Sequence, residues 1–288
     1  MSDEQQVRES VSKAYAKAVS AESEGSCCCS PVQKGTVAKL AGYSSEELAT
    51  LPADAVINSF GCGNPLAFSE IKEGEVVLDL GSGAGIDILL AAKKVGPTGR
   101  AIGVDMTDEM IAKGEENVAT AGLENVDLRK GLIEDMPVDS ESVDWVISNC
   151  VINLSPEKPK VFAEIARVLK PGGRMLVSDI VAEDLPDWVL TNDALHNSCI
   201  AGAISEGEYL DGLRQVGLVD VEVQDRIIYD ASQLEAFVTT ELPDNVEQVS
   251  CCGGPVTPES IKDFAEKVAG KIWSAKIYAK KPGEPCCR

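Results

Sequence analysis

Residues 76–92 read VVLDLGSGAGIDILLAA, and the interpretation of this stretch decides the fold. Val76, Val77, Leu78 and Leu80 make a short apolar run suited to a strand buried on both faces. Asp79 then leads into Gly81-Ser82-Gly83-Ala84-Gly85, and Ile86 to Ala92 reads as a helix. Glycines let such a turn close tightly and bring a ligand against the backbone. The helix that follows offers free N–H donors at its N-terminus. Dinucleotide enzymes use a similar strand–glycine–helix unit, so the neighbouring sequence has to distinguish between them.

Arg100 to Val104 reads as a second strand, ending in Asp105-Met106. An acidic residue roughly 20 positions past the glycines is placed to accept both hydroxyls of a ribose. Asp79 would be a poor neighbour for a phosphate. The Asp-x-Gly-x-Gly-x-Gly spacing of Asp79 to Gly85 resembles the first motif of class I S-adenosylmethionine methyltransferases. The alternative is a Rossmann-type domain for another nucleotide. The resemblance implies donor contacts from Asp79, Gly81, Ser82, Gly83, Gly85, Asp105 and Met106.

Outward from this unit, apolar residues recur at helical spacing over residues 4–19, which predicts an amphipathic helix. Ser44-Ser45-Glu46-Glu47 can cap a short helix ending before Pro52, and Gly61-Cys62-Gly63-Asn64-Pro65 is a turn-forming loop. A helix from Thr107 to about Ala121 ends at Gly122, and Val126 to Arg129 is a third strand. In the following loop, Gly131 to Pro137, Glu134 or Asp135 can accept from an adenine amine while Leu132 or Ile133 packs on the ring; both acids can equally be solvated loop charges. Ser142 to Ser148 is a fourth strand with Asn149-Cys150 at its carboxyl end, where ligands bind in open α/β sheets. Asn149 either positions the ligand or satisfies the strand end.

A helix over Val161 to Leu169, stopped by Pro171-Gly172-Gly173, precedes a fifth strand, Arg174 to Ser178. A helical stretch then leads to Cys199, and a further helix covers Glu206 to Gly217. Leu218 to Ile228 and Trp273 to Lys281 read as the sixth and seventh strands, flanking an insertion whose Cys251-Cys252-Gly253-Gly254-Pro255 reads as a loop. The expected fold class is α/β, a Rossmann-like seven-stranded sheet with a cysteine-bearing C-terminal region. The expected organisation is an N-terminal helix and cysteine-rich segment (1–40), a methyltransferase core (41–182), and a region with the remaining strands (183–288).

Composition narrows the partners. The chain has 288 residues and a net charge of −21, a field that repels phosphate backbones and disfavours a nucleic-acid substrate. No apolar run approaches the roughly 18 residues that cross a bilayer, and no signal peptide is evident, so no membrane association and a cytoplasmic location are expected. The ten cysteines include the runs Cys27-Cys28-Cys29, Cys251-Cys252 and Cys286-Cys287. Adjacent Cα atoms lie about 3.8 Å apart, shorter than the roughly 4.4–6.8 Å of a relaxed disulfide, so neighbours pair poorly with each other. Unpaired thiols in a reducing compartment point to soft-metal or redox chemistry, and the single histidine, with no Cys-x-x-Cys, argues against zinc-ribbon architecture.

Most small-molecule methyltransferases need a base to deprotonate oxygen or nitrogen, and none is evident near the donor loop. An acceptor that already carries a lone pair needs none. Trivalent arsenic bound by three thiolates is such an atom, and soft thiolates select soft centres. Gly61 to Pro65, Asp79 to Gly85, Val104 to Thr107, Ser148 to Leu154, and Cys199 with its small-residue tail together resemble the arsenite methyltransferases. The resemblance covers roughly residues 40–205.

It implies arsenite and methylated arsenicals as acceptors and products, with Cys62, Cys150 and Cys199 as catalytic arsenic ligands. It also implies an N-terminal cysteine, one of Cys27, Cys28 and Cys29, that cooperates with Cys62 in redox turnover reset by a thiol reductant such as thioredoxin or glutathione. Ile133, Glu134 and Asn149 join the expected donor contacts, and the pairs Cys251-Cys252 and Cys286-Cys287 are either accessory capture sites or dispensable. The family often has Arg followed by Asp where this chain has Ile86-Asp87, so any contact of that Arg is lost here. The competing readings are a methyltransferase for an organic acceptor with incidental cysteines, and a non-catalytic metalloid-binding protein.

Overall fold

The computed structural model describes residues 3–20, 43–58, 61, 63–185, 200, 202–235, 250–251, 254–255 and 258–283. Its sheet is laid down by the apolar runs found in the sequence. β1 (Val76–Leu80) is buried from Val77 onward, with Leu78 and Leu80 on one face and Val77 on the other, each face feeding its own core cluster. β2 (Arg100–Asp105), β3 (Val126–Lys130), β4 (Val143–Asn149) and β5 (Leu169–Ala182) are parallel to it. β6 (Val219–Ile228) and β9 (Ile272–Lys280) complete a seven-stranded sheet of order β3-β2-β1-β4-β5-β9-β6, with β9 antiparallel to both neighbours. The expected seven-stranded α/β architecture is therefore present. The strands of the expected 183–288 region lie in the same sheet as the core, because β9 pairs along β5 from Arg174 to Ala182.

That pairing, with the pairing of Leu169 to Val143 of β4, corrects the length of the fifth strand. β5 starts at Leu169 rather than Arg174 and runs to Ala182. Gly172, with φ of 80°, carries the chain through Pro171-Gly172-Gly173 without ending the strand, and a register shift between Val143 and Trp145 absorbs the irregularity.

The helices follow from their caps and apolar faces. α1 (Asp3–Ser20) matches the expected N-terminal helix and buries Val11. α2 (Ser45–Ala49) opens with the capping box of Ser44 and Glu47, and α3 (Ala53–Ile57) follows Pro52. α4 (Ile86–Val95) and α5 (Asp108–Ala121) follow β1 and β2. α6 (Lys158–Val168) packs Val161, Phe162, Ile165 and Val168 on one face of the sheet, and α7 (Glu206–Gln215) adds Tyr209 and Leu213.

The stretch between β6 and β9 holds more structure than an insertion loop. α8 (Pro258–Val268) buries Ile261, Phe264, Ala265 and Val268, the i, i+3, i+4, i+7 pattern of an amphipathic helix. Cys251 is not in a plain loop, because β7 (Ser250–Cys251) pairs with β8 (Gly254–Pro255) in an antiparallel ladder. A third apolar cluster joins Cys150, Ile180, Ile200, Phe264, Val268 and Ile272 at the carboxyl end of β4 and β5.

Candidate active site

The sheet order reverses direction of growth at β1 and β4, and a cavity of about 970 Å³, counting its open mouth, lies over the carboxyl ends of those strands. This is the topological switch point where open α/β sheets bind ligands. Gly81 to Asp87 line it from β1, Asp105 to Thr107 from β2, Ile133 and Glu134 from the loop after β3, and Asn149 to Val151 from β4. All ten residues expected to hold a donor therefore face one cavity: Asp79, Gly81, Ser82, Gly83, Gly85, Asp105, Met106, Ile133, Glu134 and Asn149. Gly81 has φ of 64°, and a Cβ there would lie 2.3 Å from Val151, so only glycine lets the β1 and β4 loops meet.

Electrostatics show what the cavity accepts. Asp105 receives the Gly83 N–H at 3.0 Å on one oxygen and the Thr107 N–H at 2.9 Å on the other, which fixes its carboxylate at the pocket edge. Asp79 is 3% exposed; burial, then the Asp87 and Asp105 charges, pushes its carboxyl well above the usual range. Burial also raises Asp87 to about 6, opposed by hydrogen bonds from Tyr43 and Asn149. Ser82 Oγ is buried with no partner among the described residues. Crowded carboxylates and an unused hydroxyl suit a cationic, hydroxyl-bearing ligand and repel a pyrophosphate. A nucleoside carrying a sulfonium and an ammonium group fits this set.

Asn149 does more than the sequence suggested. Its Nδ2 lies 2.6 Å from the Gly63 carbonyl, 3.0 Å from Tyr43 Oη and 3.1 Å from Asp87 Oδ2, and its Oδ1 accepts the Gly63 N–H at 3.1 Å. Gly61 also lies against this side chain. The loop that carries Cys62 is thus gripped on both sides of that residue. The Tyr43 hydroxyl donates to Asp87 Oδ1 at 2.7 Å and closes the network. Nothing in the local sequence marked Tyr43, which lies 106 residues from Asn149.

Cys150 is the cysteine the structure places directly. It lines the cavity, is 4% exposed and has φ of 60°, a conformation a non-glycine residue holds only when its surroundings enforce it. Its N–H donates to the Ser178 carbonyl at 2.8 Å, which anchors the turn to β5. Its sulfur is disulfide-bonded. Ile200, the residue after Cys199, is fully buried in the same cluster as Cys150, and a Cβ on Gly202 would lie 2.1 Å from the Asn153 carbonyl oxygen. The backbone following Cys199 therefore packs against the turn following Cys150. Cys62, Cys199, Cys27, Cys28, Cys29 and Cys252 lie outside the described residues, and of Cys251 only the backbone is described. Among the described residues no group of three or more metal-ligating side chains converges.

The N-terminal helix was not expected at this site. Arg8, Val11 and Tyr15 line the cavity, and Ser12 Oγ lies 3.4 Å from Thr107 Oγ1. Its amphipathic pattern implied a buried face, but local sequence does not say against what.

Comparison with known proteins agrees with this geometry. A family profile described as a methyltransferase domain matches residues 71–218. An arsenite methyltransferase of Halobacterium salinarum is 47% identical over 197 residues, covering 68% of this chain and 50% of that protein. One from Aquipseudomonas alcaligenes is 34% identical over 242 residues, covering 80% of this chain and 68% of that protein. The chain thus spans half the length of the first relative and about two thirds of the second. The crystal structure of an arsenic (III) S-adenosylmethionine methyltransferase from Chlamydomonas reinhardtii superposes with a TM-score of 0.60 at 29% identity, covering 89% of this chain and 76% of that one. With the donor-type cavity, the buried Cys150 turn and these relatives in agreement, the chain belongs to the arsenite methyltransferase family and carries its methyltransferase domain.

Proposed function

We propose that this protein transfers methyl groups from S-adenosylmethionine to thiol-bound trivalent arsenic. The observation that carries the reading is Cys150, a buried sulfur in the cavity wall beside the glycine loop. When bound, the donor supplies an electron-poor methyl group on a sulfonium. Asp105, Ile133 and Glu134 would hold its nucleoside end, and Asp79 and the Gly81-to-Gly85 loop would receive its cationic end. Thioredoxin or glutathione first gives two electrons to the Cys150 disulfide, and the freed thiols of Cys150, Cys62 and Cys199 then displace the three hydroxyls of arsenous acid as water and hold arsenic as a pyramid. Its lone pair then faces the methyl group, and orientation supplies much of the rate.

In the transfer the arsenic lone pair becomes the As–C bond, and the methyl–sulfur bond breaks with its electron pair left on departing S-adenosylhomocysteine. Arsenic is formally oxidised by two electrons, so a return to the trivalent state needs two from elsewhere. A pair of cysteine thiols supplies them and becomes a disulfide. Cys62 and one of Cys27, Cys28 and Cys29 are the proposed pair, and thioredoxin or glutathione resets them. Two facts support convergence of the thiols: a second sulfur reaches Cys150, and the backbone after Cys199 packs on the Cys150 turn. Cys251 and Cys252 are proposed as accessory capture sites. The proposed location is the cytoplasm; no described helix is long and apolar enough to cross a membrane.

The test is incubation with labelled donor, arsenite and a thiol, followed by mass identification of the arsenic species. Methylated arsenic is expected from the parent protein, with Cys150→Ser and Cys199→Ser losing at least about 100-fold in rate, the scale of a lost positioning contact. Full arsenite methylation by both variants would overturn the ligand assignment.

A further inference from the structure

We propose that Arg8 is a positioning residue of the donor site: its guanidinium bridges Glu134 and Glu157, latching the N-terminal helix across the cavity and fixing the Glu134 carboxylate. Arg8 Nε lies 3.2 Å from Glu134 Oε1, and Nη2 pairs with Glu157 Oε2. These contacts join α1 to two points 126 and 149 residues away, the loop after β3 and the N-terminal edge of α6. Arg8 is 19% exposed and Glu134 only 7%, so both charges have given up much of their hydration and depend on each other.

The geometry at Glu134 is specific. Its Oε1 accepts from both Arg8 Nε and Ser155 Oγ, the latter at 2.7 Å, while Oε2 has no partner among the described residues. One oxygen is thus held by the protein and the other is left for a ligand donor. Val11, one turn further along α1, is 1% exposed and lines the same cavity, so the latch also seals apolar surface over it. Among the described lining residues Arg8 is the only basic side chain, set against Asp79, Asp87, Asp105 and Glu134. Without it, Glu134 is a buried carboxylate among others, and the helix that carries Arg8 loses its charged hold.

The inference rests on the cavity being the donor site, and not on the identity of the acceptor. The test uses the full chain with S-adenosylhomocysteine as probe, read by calorimetry, by dissociation kinetics, and by hydrogen exchange of the ligand-free protein. Arg8→Gln is expected to weaken binding about tenfold, mostly through faster dissociation, and to speed exchange across residues 3–20. Glu157→Gln removes half of the grip without touching the cavity lining, and Arg8→Lys reaches one carboxylate rather than two. Each is expected to weaken binding about threefold, which keeps the idea testable should Arg8→Gln fold poorly. Parent affinity should fall with added salt and that of Arg8→Gln should not. Affinity and dissociation within twofold of the parent in these variants, with exchange over residues 3–20 unchanged, would overturn the latch. A parent protein that does not bind the probe overturns the donor site and the latch together. Binding without arsenite methylation overturns only the acceptor assignment.

Discussion

Asn149 donates to and accepts from the same residue, Gly63, and that reciprocity fixes a loop more firmly than either bond alone. The carboxamide cannot turn over while Asp87 and Tyr43 hold its Nδ2 side. Asp87 is ordinarily ionised at neutral pH, but burial raises it to about 6, and the Tyr43 and Asn149 donors limit that rise. The ionised form orients Asn149, so the orientation is lost as pH falls through about 6. Tyr43→Phe removes one donor and pushes the Asp87 carboxyl higher still. The acid limb of the pH–rate profile should therefore move upward in this variant, and the protein should lose about 1–2 kcal/mol of stability from the unmet buried carboxylate. An acid limb that stays where the parent has it would separate Asp87 from the cysteine loop.

Among the elements, the loop after β3 shows how a binding surface is positioned from behind. Glu164 on α6 accepts the Met136 N–H at 2.7 Å, and Arg167 donates to the Met136 and Val138 carbonyls while pairing with Glu164. The Arg167 hydrogen bond, against the cost of burial, holds Glu164 below the usual carboxylate range. This cage sets the height of Ile133 and Glu134 over the cavity. Arg167→Met should cost about 2 kcal/mol in unfolding free energy and weaken S-adenosylhomocysteine binding severalfold, seen by denaturant titration and calorimetry. Unchanged binding would mean that the loop keeps its place without the cage.

The same elements show what sequence reveals. The β1 strand, the glycine turn, the Asp105 terminus and the Cys150 turn were legible because each is a local pattern with a local physical cause. Glu134 was visible as an acid in the right loop, but Arg8, its partner 126 residues away, was not. α8 escaped because its apolar residues, Ile261, Phe264, Ala265 and Val268, sit in a segment read only as a break between two strands. The length of β5 escaped because its start is set by Leu169 pairing with Val143 of β4 and its end by pairing with β9, contacts between distant residues rather than a property of any one run.

For the whole molecule, the excess of acids has a thermodynamic sign that can be worked out. The net charge is −21, and self-repulsion grows as the acids ionise. Asp79, Asp87 and Asp179 are buried with carboxyls held above their ordinary values, Asp179 at about 7. Burial is the main cause at Asp179, where the Tyr209 hydroxyl at 3.3 Å and the Ile180 N–H at 3.0 Å only partly compensate, with Lys158 the nearby cation. An acid whose folded value exceeds its unfolded one binds more protons in the native state. Stability from Asp179 is therefore present below about 4, the unfolded value, and is lost as pH rises to about 7. The full shift corresponds to an upper bound on the order of 4 kcal/mol. Melting temperature should thus fall between pH 5 and pH 8 in the ligand-free protein. Asp179→Asn keeps a hydrogen-bond acceptor and cannot ionise, so its melting temperature should fall less over the same range. Parallel curves for parent and variant would show that Asp179 is ionised throughout, stabilised by Tyr209, Lys158 and the backbone despite its burial.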